Sequence, residues 1–217
     1  MTRGNTLPDN PDPVDAQNRT TIADDDAGFV ASCQRGDTEA FAVLVRRRQK
    51  KMLNVAFRMI GDYDEACDVV QEAFLSAYRA IGKFRGEARF ETWLCGIVLN
   101  QARSHLTQKT ARSRREAGSL DDPVKAKDGA FLNEPLSREG GIVERLEKQE
   151  LEAKVQECIG FLDGEQREVL VLRDIQGFSY EEIGAMLKLP GGTVKSRLFR
   201  ARNALKDGLS RVIGDLI

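Results

Sequence analysis

The sequence predicts an all-α protein of two helical domains that are joined by a flexible linker. Apolar residues recur at three-and-four spacing in two long segments, as they do on the buried face of a helix. The segment between them is rich in glycine, proline and charge, and no runs of alternating apolar residues indicate a sheet. With 217 residues, of which 41% are hydrophobic, the chain can form two packed cores.

The first 26 residues are predicted to form a disordered acidic tail. They contain three prolines, six aspartates and almost no apolar side chains, so burial could not offset the entropy lost on ordering. The tail lacks the apolar run of a secretory signal, and no stretch of about 18 apolar residues could span a membrane. We therefore expect no membrane insertion and a location in the cytoplasm.

Residues 27–115 are predicted to form the first helical domain. Its clearest helix begins after Asp62, whose side chain can cap the first turn, with Glu65 three residues later, and it ends near Gly82. The apolar stripe of this helix, which we expect to face the core, consists of Val69, Val70, Ala73, Phe74, Ala77, Tyr78 and Ile81.

Residues 116–141 are predicted to be a flexible interdomain linker, because they combine glycines, two prolines and charge without any sustained apolar period. A second helical segment follows over residues 142–217. Its length suits a bundle of about four helices.

The second domain contains the most specific local motif, which spans residues 178–205. Ser179 and Glu182 form a capping box, and a Lys-Leu-Pro-Gly-Gly run then ends that helix. A second helix begins near Thr193. Its inward face consists of Val194, Leu198, Ala201 and Leu205. Two helices around a short glycine-containing turn make a helix-turn-helix, whose second helix enters the major groove of DNA.

The outward face of that second helix carries Lys195, Ser196, Phe199, Arg200 and Asn203. Such side chains can contact phosphates, base edges and a thymine methyl group. A net charge of −1 argues against DNA binding, but residues 188–211 hold seven Lys and Arg against one acid. Residues 103–115 hold five basic residues and no acid. An ordinary solvated helical hairpin is the alternative, and the agreement of cap, turn and charge favours DNA binding.

Residues 83–106 carry a second signal. A loop at Phe84, Arg85 and Gly86 leads into a helix with Phe90 and Trp93, and that helix runs on into the basic segment. Aromatic rings among cations can stack on unpaired bases. The same rings at helical spacing are also typical of a core, and the pattern alone favours the core.

The composition offers little for enzymatic chemistry, and we predict no catalytic residue, metal or cofactor. The four cysteines are widely spaced without a CxxC pair, and His105 is the single histidine. A nuclease that binds a metal through Glu87 and Glu91 is an alternative, but paired helix carboxylates are far more often simply solvated.

Three segments together resemble the extracytoplasmic-function (ECF) sigma factors of bacterial RNA polymerase. They are DVVQEAFLSAYR at residues 68–79, FRGEARFETWL at 84–94 and GTVKSRLFRAR at 192–202, in the order and spacing of that family. The resemblance covers about residues 27–213. Ser104, where many relatives have Asp or Asn, and the extra Gly191 depart from the family pattern.

The resemblance implies a binding function without bond chemistry. Core RNA polymerase would be bound through the clamp helices of its largest subunit and the flap of its second-largest subunit, and an anti-sigma factor would control the protein. The residues that match the family's clamp-helix contact are Asp68, Gln71 and Glu72. Those that match the reader of the minus-ten promoter element are Phe84, Arg85, Gly86, Trp93, Asn100 and Arg103. Those that match the reader of the minus-thirty-five element are Arg173, Thr193, Lys195, Ser196, Phe199, Arg200 and Arg202.

A stand-alone helix-turn-helix regulator with an N-terminal sensing domain is the main alternative. It accounts for the second domain but leaves the acidic face at Asp68, Gln71 and Glu72 unexplained.

Overall fold

The computed structural model describes residues 25–116 and 142–214, and within these ranges the chain is helical without a β-strand. The prediction of an all-α fold is thereby confirmed. Most of the predicted acidic tail and almost all of the predicted linker lie outside the described residues.

The N-terminal domain contains four α-helices. They are α1 (Ala27–Gln34), α2 (Thr38–Ile60), α3 (Tyr63–Ala80) and α4 (Phe90–Glu116), with a 3₁₀ turn at Ile81–Lys83 after α3. The predicted cap of α3 is confirmed, because the Asp62 side chain accepts a hydrogen bond from the Glu65 amide at 2.9 Å. Gly61 separates α2 from α3 in the left-handed conformation, with φ of 86°, which favours glycine.

The core of this domain lies between α2, α3 and α4. The predicted stripe of α3 is buried except at Tyr78, which is 45% exposed and packs its ring edge-on against Phe41 at 5.0 Å. Tyr78 differs because it lies at the margin of the contact between α3 and α2. The spacing of apolar residues along α3 alone does not show where that contact ends. The fully buried partners across the core include Leu44, Met52, Phe90, Leu94 and Leu99.

The single histidine helps to hold α3 against α4. His105 Nε2 lies 3.0 Å from the Glu65 carboxylate, and Lys109 Nζ donates to the same carboxylate at 2.7 Å. Burial raises the pKa of Glu65, but the hydrogen bonds from Lys109 and His105 outweigh it and hold that pKa below its ordinary value. His105 therefore has a structural partner in this domain.

The folded domain extends two residues into the predicted tail. The carboxylate of Asp26 is fully buried and pairs with Arg48 Nε at 2.6 Å and Arg47 Nη1 at 3.4 Å. Composition alone could not reveal this contact, because the two arginines are about twenty residues away on α2.

The C-terminal domain contains α5 (Ile142–Gly160), α6 (Gly164–Leu170), α7 (Tyr180–Leu187) and α8 (Gly191–Gly214), and α6 continues into a π-helical turn at Val171–Ile175. Both halves of the predicted capping box form, with the Glu182 amide donating to Ser179 Oγ and the Ser179 amide donating to Glu182. Helix α8 begins two residues before the predicted Thr193, since the amides of Thr193 and Val194 already donate to the Pro190 carbonyl.

The turn of the helix-turn-helix is tight. Lys188 adopts the left-handed conformation with φ of 55°, and the Leu189 amide donates to the Gly184 carbonyl at 2.9 Å. A Cβ atom at Gly184 would lie 2.9 Å from the Leu189 carbonyl oxygen, so only glycine fits there without a backbone shift.

The two domains pack against each other. Helix α2 contacts α5, α6 and the π-helical turn, and α4 contacts α7. No helix in residues 25–116 or 142–214 is long and apolar enough to cross a membrane.

Candidate nucleic-acid interface

Helix α8 divides into a buried face and an exposed face, as the sequence predicts. Val194, Leu198 and Ala201 are almost completely buried, whereas Phe199 is 67% exposed. The other exposed residues on this side of the helix are Lys195, Ser196, Arg200 and Asn203. Basic, hydroxyl, amide and aromatic side chains thus lie together on the exposed face, a mixture that can contact phosphates and base edges.

Several of the outward side chains on α8 are held in place by neighbours. Ser196 Oγ donates to the Thr193 carbonyl at 3.0 Å, and the Lys195 ammonium lies 5.9 Å from the ring centroid of Tyr180. Arg202 makes a two-point contact with Asp174 at 3.0 and 2.7 Å. The contact with Asp174 orients the Arg202 side chain and offsets its charge. It also draws this side chain toward Asp174, at the edge of the exposed face of α8.

Arg173, predicted on the DNA side, has a different position. Its side chain is only 6% exposed, donates from Nη1 to the Phe178 carbonyl at 3.0 Å and stacks over the Tyr180 ring at 4.6 Å. This placement argues against direct DNA contact and indicates that Arg173 holds the π-helical turn against the start of α7. The sequence does not indicate that Arg173 is buried, because a basic residue next to an aspartate is typical of an exposed surface.

The aromatic residues before and within the first turn of α4 form one cluster. The Phe84 ring lies 4.9 Å from Trp93 and 6.2 Å from Phe90, and Trp93 lies 5.8 Å from Phe90. Phe90 is completely buried, whereas Phe84 and Trp93 are half-buried. The core assignment therefore holds for Phe90, and the other two rings keep an accessible edge.

The remaining residues predicted for the minus-ten element are dispersed. Arg85 and Gly86 are exposed in the loop before α4, where Gly86 has φ of 71°. Asn100 is exposed, and its Oδ1 accepts from Arg103 Nη1 at 3.3 Å. Arg103 itself binds the Glu168 carboxylate of α6 through Nε and Nη2. These hydrogen bonds raise the pKa of Arg103 despite partial burial.

The acidic face of α3 is also formed. Asp68, Gln71 and Glu72 are all exposed on the side of α3 that faces away from the core. Next to them lies an open groove of about 480 Å³ between α2 and α3. Its lining is mostly apolar, and it includes Phe41, Val45, Phe74, Leu75 and Tyr78.

Leu75 is a surface residue that sequence reasoning missed. It is 50% exposed, one turn beyond Gln71 on the same side of α3. A leucine at an outward position of an amphipathic helix can indicate an interaction surface, and Leu75 occupies such a position.

The described residues do not assemble a metal site. No group of three or more His, Cys, Asp or Glu side chains in the described ranges could hold an ion. Glu91 pairs with Arg48 at 2.7 Å and with Lys51, whereas Glu87 lies before α4, so the two glutamates do not share a helical face. Three cysteines are buried and all four are reduced, and burial raises the pKa of Cys95 to about 12.

Comparison with known proteins decides the family. The family model described as sigma-70 region 2 matches residues 44–112, and that described as sigma-70 region 4 matches residues 152–205. The chain is 41% identical over 194 residues to the RNA polymerase sigma-H factor of Pseudomonas aeruginosa, across 87% of this chain and 95% of that protein. It is 38% identical over 191 residues to the ECF RNA polymerase sigma-E factor of Escherichia coli K12, across 87% and 96%. The chain belongs to the ECF sigma factor family.

Solved structures agree with this assignment of the ECF sigma factor. CnrH, solved in complex with the cytosolic domain of CnrY, matches with a TM-score of 0.61 and 30% identity over 86% of this chain and 97% of that one. A sigma factor RpoE from Bartonella quintana, solved with the anti-sigma factor NepR, has the same fold with a TM-score of 0.62 at 23% identity. The family predicted from the three sequence segments is therefore confirmed, and the stand-alone regulator is set aside.

Proposed function

We propose that this sigma factor binds core RNA polymerase through the acidic face of α3 and reads promoter DNA through α4 and α8. The observation that carries the proposal is the clean division of α8, whose buried apolar face leaves a basic, polar and aromatic face exposed in a helix-turn-helix. Its relatives are sigma factors, which are not enzymes, and no step of this function needs a cofactor.

The proposed polymerase contact combines charge with apolar surface. Asp68 and Glu72 supply carboxylates next to the groove at Leu75 and Tyr78, both of which are about half exposed. A helical partner with basic residues beside an apolar stripe would match both features. The clamp helices of the largest polymerase subunit are the partner that the family resemblance implies.

The polymerase contact can be tested by charge reversal. Glu72→Lys should weaken binding to purified core polymerase by about tenfold or more, because it places like charges at the interface. Glu157→Lys is the matched control, since Glu157 is an exposed helical acid on α5. Equal affinities of the two variants in a fluorescence binding assay would remove α3 as the docking helix.

The proposed minus-ten contact uses the N-terminal half of α4 and the loop before it. The accessible edges of Phe84 and Trp93 could stack on unpaired bases, while Arg85 and Arg103 neutralise phosphates. Asn100 adds an amide that can hydrogen-bond a base edge. In run-off transcription with core polymerase, Trp93→Ala should reduce open-complex formation on linear templates more than on templates that are already melted at the minus-ten element.

The proposed minus-thirty-five contact lies on α8. Phe199 and Arg200 stand at the centre of its exposed face, with Lys195 and Arg202 at the edges toward the flanking phosphates. Thr193 lies in the first turn of the helix and Ser196 in the second, within the N-terminal part that reaches base edges in helix-turn-helix proteins.

We also propose control by an anti-sigma factor in the cytoplasm, where core polymerase and promoter DNA are found. CnrH and the Bartonella RpoE were both solved as complexes, the latter with a protein named as an anti-sigma factor. Co-purification of a tagged chain from its native host, followed by mass spectrometry, should recover core polymerase and such a partner.

A further inference from the structure

The loop at residues 84–89 carries part of the proposed minus-ten surface, and most of its residues are exposed. Within the loop, Arg85 Nη1 lies 3.9 Å from the Glu87 carboxylate, but both side chains are more than three-quarters exposed. An ion pair in such an exposed position contributes little to order. The conformation of the loop therefore depends on how its two ends are held.

The first end of the loop is held by α1. Gln34, the last residue of α1, donates from Nε2 to the Phe84 carbonyl at 2.8 Å and to the Ile81 carbonyl at 3.1 Å. An amide nitrogen has two N–H groups, and both are used here. The Gln34 side chain is exposed, so its contribution lies in these hydrogen bonds rather than in the burial of apolar surface.

Gln34 also affects the position of an aromatic ring. The backbone of Phe84 determines where the Phe84 ring lies, and this ring packs 4.9 Å from Trp93. The same ring meets the buried Phe90 edge-on at 6.2 Å. The arrangement of the two half-buried rings, Phe84 and Trp93, therefore depends on the start of the loop.

The second end of the loop is connected to the beginning of α1 through charged side chains. Asp26, the N-cap residue of α1, has a fully buried carboxylate that binds Arg48 Nε at 2.6 Å. Arg48 Nη1 in turn donates to the Glu91 carboxylate at 2.7 Å, and Lys51 pairs with the same carboxylate. Glu91 lies in the first turn of α4, two residues before Trp93. Because buried charges are stable only when they are paired, Asp26 and Glu91 together orient Arg48.

We infer that α1 positions the minus-ten surface, with Gln34 holding the start of the loop and Asp26 acting through Arg48 and Glu91 on the start of α4. This inference rests on the proposed minus-ten role of that loop and of α4. Helix α1 itself needs no contact with DNA. It keeps the two aromatic rings in one arrangement before a base arrives, so that less ordering is required on binding.

Tryptophan fluorescence tests the first contact, because Trp93 is the single tryptophan of the chain. In the free full-length protein, Gln34→Glu replaces the donor with a carboxylate that the two carbonyls repel. It should increase quenching of Trp93 by acrylamide and shift its emission to longer wavelength. Gln34→Lys keeps a donor and should resemble the wild type. Gln149→Glu is the matched control, since Gln149 is an exposed glutamine on α5.

Equal quenching in Gln34→Glu and Gln149→Glu would overturn the inference. So would equal increases in Gln34→Glu and Gln34→Lys, because the donor would then not be the cause.

A double-mutant cycle tests the charged connection. Asp26→Asn and Glu91→Gln should each increase Trp93 quenching, and the combined variant should exceed neither by much, because residues that act through one partner are not additive. Fully additive effects would show that Asp26 does not act through Glu91 and would overturn this half of the inference. Circular dichroism establishes that each variant is folded, and the Gln34 variants decide the inference if Asp26→Asn is not.

Promoter opening separates this inference from the proposed function. With core polymerase, Gln34→Glu should slow opening of a duplex promoter by about two- to tenfold, the range that corresponds to the net contribution of one hydrogen bond. Its affinity for core polymerase should be unchanged. If Trp93→Ala slows opening but Gln34→Glu does not, the positioning role is wrong. If Trp93→Ala leaves opening undiminished, the proposed minus-ten role is wrong, whatever the fluorescence of the free protein shows.

Discussion

The two helices proposed to read DNA differ in what lies opposite them. Helix α8 presents Phe199 and Arg200 on an open surface, whereas α4 presents Trp93 and Arg103 to the C-terminal domain. The packing that orients α8 comes from within its own domain. The side of α4 that carries Arg103 instead contacts the C-terminal domain. There Glu168 binds Arg103, and Glu182 binds Arg89 just before α4. One of the two proposed reading surfaces is thus open, and the other faces the C-terminal domain.

The largest expected effect is on the free energy of unfolding, and it differs between the buried and exposed faces of α8. Leu198→Ala should lower the free energy of unfolding by about 2–5 kcal/mol, because it removes a side chain that is only 1% exposed. Phe199→Ala should change it by no more than about 0.5 kcal/mol, since that ring is exposed. Urea unfolding followed by circular dichroism measures both. Comparable losses in the two variants would mean that α8 is oriented differently.

The next prediction separates base contacts from phosphate contacts on α8. If Arg200 makes a two-point base contact, Arg200→Ala should cost about 1–3 kcal/mol of binding and relax the preference at one position of the minus-thirty-five element. Lys195→Ala should weaken all promoters alike and make the log-log salt dependence shallower by about one unit. Promoter variants titrated with the polymerase complex supply the data. A uniform loss for both variants would make Arg200 a phosphate contact only.

Arg173 refines the comparison, because the family resemblance predicts that it contacts DNA whereas its side chain is buried in the structure. Arg173→Ala should lower the free energy of unfolding by about 1–3 kcal/mol, since the buried Phe178 carbonyl loses its donor. Arg200→Ala is the control and should leave stability nearly unchanged. Reduced binding to the minus-thirty-five element at full stability would instead restore Arg173 as a DNA contact.

The smallest expected effect is a pH dependence of stability through the Glu182 contact between α7 and the start of α4. Burial raises the pKa of Glu182, but hydrogen bonds from Arg89, the Ser179 amide and Thr92 outweigh it and hold that pKa below its ordinary value. The contribution of Glu182 is therefore complete above its unfolded pKa, about 4.3, and is lost as pH falls through the lower folded value. The free energy of unfolding of the wild type, measured by urea denaturation, should decrease over that acidic range, and Glu182→Gln should remove this part of the change.

Much of the local structure was predictable because short-range contacts specify it. The Asp62 cap, the Ser179–Glu182 capping box and the inward face of α8 each depend on residues within a few positions of one another. The signature segments at 68–79, 84–94 and 192–202 identified the family for the same reason, since each is a continuous piece of helix or turn with its own chemistry.

Tertiary structure decided the environment of charged residues. From the sequence, Arg173 and Arg103 are expected on DNA and Asp26 in a disordered tail. In the structure Arg173 is buried, Arg103 binds Glu168, and Asp26 is enclosed by two arginines. Charged side chains are buried only where a partner compensates them, and here those partners come from distant segments or from backbone carbonyls. The helices, their faces and the family therefore follow from local sequence. Which of the proposed DNA-binding residues already pair with other side chains depends on the packing of the two domains.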